Sequence, residues 1–348
     1  MSAKTNFDVL TVGTATRDVF LTSDLFKVVK DTAHLKTLGF EDGRAECFAF
    51  GGKIDIDAPT FTTGGGATNA AVTFARAGLA TGSIFSIGSD RPGEDVVEEL
   101  TKENVRCFQS IDSKLSTGYS TLLLGRDGER TALVNRGASA NLNLRNVPLA
   151  RLSTKLLHVS PGELPLATTT RLVNHFHKQG AAIVVNPSGF YIKMGLRDLS
   201  PILKKTAVLT LNRSEAAALA KVDGKDERKV FAKLCSFVPG FVVITDGPDG
   251  VLVSNGKAIY RAGVFKEKQV VDRTGAGDAF ASGFSAYLFA YGGVVDPSEA
   301  VLKDAIRFAS ANATSVVEQI GAKTGILSMQ SFNRSSRFKN LTVRKTII

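Results

Sequence analysis

Short apolar runs that do not alternate with polar residues recur along this chain, each followed by a stretch of helical character. Leu156–Val159, Ala182–Val185, Ala207–Leu211 and Phe241–Thr245 are continuous in this way, and Phe7–Val12 and Ser83–Ile87 read as strands too. A strand with no polar face must be covered on both sides, which is the signature of a parallel sheet inside a layered fold. Gly93–Glu103, Pro165–Gln179, Ser214–Lys221, Asp226–Phe237, Ala276–Tyr291 and Pro297–Val317 read as the covering helices. The alternation predicts a three-layer α/β fold with a mostly parallel central sheet and right-handed crossovers.

Two segments break the rhythm. Between Val19 and Thr63, Ser23–Lys36 reads as a helix, while Glu46–Phe50 and Lys53–Phe61 flank Gly51-Gly52, a hairpin signal. Thr117–Leu124 and Arg130–Asn135 flank Arg126-Asp127-Gly128-Glu129, a second hairpin turn. Two hairpins beside a parallel sheet predict a small β-layer that covers a site or forms a dimer surface.

Composition narrows the function classes. The 348 residues carry a net charge of +10, with 43% hydrophobic and 22% charged residues, an ordinary globular balance. Length alone allows two domains or one large α/β domain. Half the excess charge comes from Arg334, Arg337, Lys339, Arg344 and Lys345, in a segment without acids, so it reads as a solvated basic tail. No basic block with interleaved aromatics suggests nucleic acid as a partner. No apolar stretch approaches the roughly 18 residues of a membrane helix, and no membrane association is expected. The polar start, Met1–Asn6, does not resemble a signal peptide, and Cys47, Cys107 and Cys235 form no metal or disulfide pattern. A cytoplasmic protein with reduced thiols is expected.

The chemistry concentrates in two glycine-rich helix starts. Asp272-Arg273-Thr274-Gly275-Ala276-Gly277-Asp278 follows a strand-like Gln269–Val271 and opens an apolar helix. Free backbone N–H groups and the positive helix end favour an anion there, and glycines let it approach. Gly275, Ala276 and Gly277 could thus stabilise a transferring phosphoryl group. Asp278, in the first turn, could take the proton of an attacking hydroxyl or simply stabilise the helix end. Thr63-Gly64-Gly65-Gly66-Ala67-Thr68-Asn69 precedes an Ala-rich helix and offers bare backbone plus the Asn69 amide, or else a tight packing turn. The nucleotide-binding P-loop and dinucleotide fingerprints and the serine-hydrolase elbow are absent.

Together the two motifs resemble the paired signatures of the PfkB family, the ribokinase-like sugar and nucleoside kinases. Gly64-Gly65-Gly66-Ala67-Thr68-Asn69-Ala70 is similar to the first, and Asp272–Asp278 to the second, with Arg273 where Thr is usual. The resemblance spans about residues 7–327 and implies a ribokinase-like fold with a small β-sheet lid, ATP as phosphoryl donor, and Mg²⁺. Residues 7–18 and 64–327 would be the kinase core, 19–63 and 117–135 the lid or clasp, and 328–348 the tail. The implied roles are Asp278 as base, with Asp18, Gly65, Gly66, Asn69 and Arg136 on the acceptor. Asn212, Glu215, Thr245, Gly247 and Gly250 would serve the nucleotide, with Glu215 holding Mg²⁺ through water. Gly321-Ala322 resembles the loop closing over adenine, and Asp272 and Thr274 resemble a K⁺ site.

The resemblance also bears on the acceptor and on assembly. Its phosphosugar kinases and ribokinases usually carry Lys where this chain has Gly66, which favours an unphosphorylated acceptor, a sugar ahead of a nucleoside. Phe48, Phe50 and Phe61 could stack on a base or fill a clasp core, the latter preferred. A homodimer joined through the lid is expected. A non-catalytic binding protein of the same family is the remaining alternative.

Overall fold

The apolar runs become strands, and most segments between them helices, in the computed structural model, which describes residues 5–40, 43–125 and 130–348. The chain opens with β1 (Thr5–Gly13), β2 (Thr16–Thr22), β3 (Lys27–Lys30), α1 (Thr32–Thr37), β4 (Arg44–Cys47) and β5 (Thr60–Gly64). Next come α2 (Gly66–Arg76), β6 (Thr81–Gly88), α3 (Arg91–Lys102), β7 (Arg106–Asp112), β8 (Gly118–Leu124) and β9 (Arg130–Asn135). The middle runs β10 (Leu152–Ser160), α4 (Leu166–His177), β11 (Ala182–Val185), α5 (Gly189–Leu203), β12 (Thr206–Asn212), α6 (Arg213–Ala220) and α7 (Glu227–Cys235). Last are β13 (Phe241–Thr245), β14 (Val251–Ser254), β15 (Ala258–Ala262), α8 (Ala276–Tyr291), α9 (Glu299–Val317), α10 (Met329–Arg334) and β16 (Val343–Ile347).

The main sheet has the order β16-β15-β14-β13-β12-β11-β10-β1-β6-β7. From β7 to β13 neighbouring strands pair in parallel, and β14, β15 and β16 extend the edge antiparallel. The continuous apolar runs follow from two cores. Leu157, Ile183, Leu209 and Val242 pack beneath α4 to α7, while their sequence neighbours Leu156, Val184, Val208 and Val243 pack beneath α2, α8 and α9. Each such side chain contributes about 1.5–3 kcal/mol when fully buried, so neither face tolerates a polar residue cheaply. Crossovers from β1 run to β6 on one side while β10 lies on the other, and a crevice opens at the carboxyl ends where the order reverses.

A second sheet, β5-β2-β8-β9, stands apart, and β3-β4 form a separate ribbon. The small β-layer is thus present, with different internal pairing from that expected. Ser23–Lys36 is not one helix. Lys27–Lys30 is extended, and the short α1 starts only where the Asp31 side chain accepts from His34 N. Gly51-Gly52 does not join a hairpin, because β4 pairs with β3 and β5 pairs antiparallel with β2. β8 and β9 do pair antiparallel, while their expected turn, 126–129, lies outside the described residues. β2 begins at Thr16, so Asp18 is carried by the small sheet rather than by the end of the core. Phe48, Phe50 and Phe61 are all exposed in the single chain.

The end of the chain is no solvated tail. β16 pairs with β15 from Val343↔Ala262 to Ile347↔Ala258, and Phe338 is buried edge-on against Phe265. Two of its cations hold this docking. Arg337 donates to both Glu318 oxygens, at 2.9 Å for Oε2, and Lys345 donates to Glu299 at 2.5 Å. Gln269–Val271 forms no strand, since Val271 N and Asp272 N donate instead to the Val317 carbonyl at the end of α9. Among the described residues no helix is long and apolar enough to cross a membrane.

Candidate active site

The two glycine motifs, some two hundred residues apart in sequence, meet over the crevice between β1 and β10. Gly65 caps α2, Gly66 N donates to Thr14 Oγ1 just beyond β1 (2.9 Å), and Gly275 caps α8. Asn69 Nδ2 donates to Asp278 Oδ2 at 2.9 Å, joining the two helix starts directly. A Cβ built on Gly66 would lie 2.7 Å from Ser160 Cβ and 3.5 Å from Asp278 Oδ1, so a side chain there has no room. Gly275 adopts φ 78°, left-handed, with a hypothetical Cβ only 2.3 Å from Ala322 Cβ. Gly277 differs: a Cβ there meets nothing within 4 Å, because it faces the open crevice.

The carboxylates sit in unusual surroundings. Burial pushes Asp278 above the ordinary carboxylate range, opposed by the Asn69 hydrogen bond and the charges of Lys323 and Arg130. Asp18 is 6% exposed and is also pushed up by burial, against the Ser120 and Thr16 hydroxyls and Lys323, with Asp272 adding to the rise. Asp18 Oδ1 and Asn69 Oδ1 are buried without a hydrogen-bond partner. Orphaned acceptors of this kind are costly unless a ligand supplies donors.

Beside Asp278 lies a cavity of about 300 Å³, lined by Asn212, Thr245, Gly247, Gly250, Ala276 and Gly277 from the expected set. Asn212 and Glu215 form a reciprocal capping box at the start of α6, with Glu215 N donating to Asn212 Oδ1 and Asn212 N to Glu215 Oε2. Glu215 does not line the cavity, yet Asp278 is near enough for its charge, after burial, to raise Glu215 further. Asp272 is fully buried, and its oxygens accept from Thr274 N (2.8 Å), Thr274 Oγ1 (2.6 Å) and Gly321 N (3.0 Å). Gly321 and Ala322 do not line the cavity. They back the Gly275 turn. Arg136 does not line the cavity and pairs with Glu163, 3.0 Å away, at the surface.

Several site residues carry no sequence motif. Val264, Phe280, Ser310, Ala313, Thr314 and Val317 supply the cavity's other walls. The last four follow helical spacing on α9, a pattern that equally describes core packing. Arg213, next to the cavity-lining Asn212, donates to Asp246 at 2.6 Å and to Glu227 at 3.2 Å. Lys323, 4% exposed, donates to Thr63 Oγ1 at 2.5 Å. A lone lysine in a loop gives no sequence signal of burial.

An α/β sheet that opens two bare helix starts onto one carboxylate, next to a cavity, makes a site suited to an anion beside a proton-accepting group. Residues 39–329 match the pfkB family carbohydrate kinases, and the chain belongs to that family. It is 30% identical over 264 residues to cytidine kinase of Thermococcus kodakarensis, covering 74% of this chain and 87% of that one. It is 28% identical over 314 residues to ribokinase of Schizosaccharomyces pombe, covering 85% and 94%. The fold is shared with Arabidopsis thaliana ribokinase complexed with ribose and ATP, at TM-score 0.72 and 18% identity over 96% of this chain and 98% of that one. The chain is therefore a kinase of the carbohydrate-kinase family with a ribokinase-like fold.

Proposed function

We propose that this kinase moves the γ-phosphoryl group of ATP to a primary hydroxyl of an unphosphorylated sugar, with Asp278 as general base. The observation that carries the reading is the Asn69–Asp278 hydrogen bond, which sets the carboxylate between the acceptor crevice and the cavity. ATP occupies the cavity lined by Asn212, Thr245, Gly247 and Gly250. The acceptor lies over Gly65 and Gly66, its hydroxyls satisfying Asp18 Oδ1 and Asn69 Oδ1. Arg136 meets the acceptor on exchanging Glu163 for it.

In the transfer, the acceptor oxygen bonds to the γ-phosphorus as its proton passes to Asp278, and the bond to the bridging oxygen breaks, releasing ADP. Such a reaction needs positioning and charge stabilisation above all. The amides of Gly275, Ala276 and Gly277 meet the developing charge, where one donor is worth about 2.7–4 kcal/mol. A base raised by burial also suits proton transfer near neutral pH.

Mg²⁺ fits beside Glu215, since that ion binds through one or two carboxylates plus phosphates, and it neutralises phosphate charge when bound. K⁺ fits Asp272 and Thr274, because a fully buried carboxylate gains from a cation. The small sheet β5-β2-β8-β9 serves as the lid over the core. Exposed Phe61, Leu133 and Val134 on that lid support pairing with a second copy of the chain. Free Cys47, Cys107 and Cys235 support a cytoplasmic setting.

The absence of room for a side chain at Gly66 favours a neutral acceptor, because no cation can stand there. The cytidine kinase relative favours a nucleoside as the second reading. An ATP-consumption screen across sugars and nucleosides, with Mg²⁺ and with or without K⁺, tests both. Turnover with a neutral sugar supports the proposal, turnover with nucleosides alone selects the second reading, and none selects a binding protein.

A further inference from the structure

Asp95 and Glu99 on α3 and Glu103 at its C-cap follow one another at four-residue spacing, and each meets a cation from a different part of the fold. Asp95 meets Arg17 of β2 (3.4 Å), Glu99 meets Lys323 (3.8 Å), and Glu103 meets Arg76 of α2 (2.6 Å). Lys323 is the buried member of the three. Its ammonium donates to Thr63 Oγ1 in the small-sheet strand β5, and that hydroxyl donates on to Glu99 at 2.7 Å. Its own loop is fixed from below by Arg76, which donates to the carbonyls of Lys323 (3.0 Å) and Ile326 (2.9 Å). The same loop presents Ala322 to Gly275 and Gly321 N to Asp272. One side chain therefore ties a lid strand to the segment that backs the anion-binding turn.

We propose that Lys323 is a positioning residue that couples the lid strand β5 to the Gly275–Asp278 turn and supplies the buried positive charge shared by Asp18 and Asp278. The inference rests on the kinase reading above. The geometry makes the link mechanical: a shift of β5 at Thr63 pulls the ammonium, and its loop has no slack against Gly275. The charge makes it electrostatic. Burial lowers the Lys323 pKa, while Glu99, Asp18, Glu103 and Asp278 raise it. Around the two aspartates, Arg130 from β9 adds positive charge, and Asp272 and Glu215 add negative charge. Lys323, held at Thr63 and Glu99, is near enough for its charge to act on both Asp18 and Asp278.

Wild type, Lys323→Met and Thr63→Val are compared by hydrogen exchange without substrate and by the pH profile of kcat/KM for the acceptor. Lys323→Met should exchange faster both in β5 and at residues 275–278. Its acid limb should move to higher pH by about one unit, as loss of a nearby opposite charge raises a carboxylate. Thr63→Val, which keeps the charge, should loosen β5 and leave the limb in place, and it serves if Lys323→Met does not fold. A limb unmoved in folded Lys323→Met, or unchanged exchange at residues 275–278, overturns the proposal, as does wild-type exchange of β5 in Thr63→Val. Exchange needs no turnover, so a chain inactive with every acceptor contradicts the kinase reading while the coupling is still decided.

Discussion

Gly275 and Gly277 stand two residues apart in one motif, and alanine at each should have opposite effects on stability. At Gly275 the backbone is left-handed, φ 78°, which costs a non-glycine residue about 1–2 kcal/mol. The new methyl would sit 2.3 Å from Ala322 Cβ. It must retreat by about an ångström to reach ordinary contact, and overpacking of that kind costs about 1–3 kcal/mol. The retreat drags the amides of the turn, and a misplacement of about 1 Å is enough to cost roughly a hundredfold in rate. Gly275→Ala should therefore lower the melting temperature and kcat together. At Gly277 the backbone is helical and the methyl meets no protein atom, so alanine should stabilise the helix by about 0.5–1 kcal/mol. That methyl enters the space assigned to the phosphoryl group, and kcat should fall nonetheless. The assays are thermal melting without ligand and steady-state ATP consumption with the preferred acceptor. Gly277→Ala with wild-type kcat would refute the placement of the anion in this turn, and Gly275→Ala with wild-type melting would refute the strain argued for Gly275 against Ala322.

Two further outcomes follow from the charges. Asp278 is raised in the folded protein, so the fold binds its proton more tightly than the unfolded chain does. Its favourable contribution is present at low pH and lost as pH rises through the folded value. Asp278→Asn should thus melt higher than wild type at neutral pH, and the gap should close towards the ordinary carboxylate range. At the far edge of the sheet, Arg337→Ala leaves the nearly buried Glu318 without its cation. It should lower the melting temperature with KM unchanged, whereas a truly solvated tail would show no effect.

The layered fold was legible because burial on both faces makes consecutive residues apolar at the centres of β10 to β13, as at Leu156–Leu157, Ile183–Val185, Val208–Leu209 and Phe241–Ile244. The lid was legible as β-structure but not in its pairings. Gly51-Gly52 looks like a hairpin turn locally, yet β5 pairs with β2 across the site entrance, a long-range choice with no local mark. The end of the chain was misread because its charges dominate the composition. Phe338, Leu341 and Val343, which bury against the sheet, are too sparse to show a period. In the site, the glycine motifs were legible as helix starts, and the family resemblance brought them together. Lys323 was not legible, since its burial arises from Thr63 and Glu99, more than two hundred residues away.

The central claim is that Asp278 takes the acceptor's proton while the backbone turn holds the phosphoryl group. Its most direct test measures ATP affinity and single-turnover phosphoryl transfer side by side in wild type and Asp278→Asn, with the acceptor found in the screen. The account predicts ATP binding within about threefold of wild type and a transfer rate reduced by at least about a hundredfold. Transfer at a near wild-type rate in Asp278→Asn would contradict it.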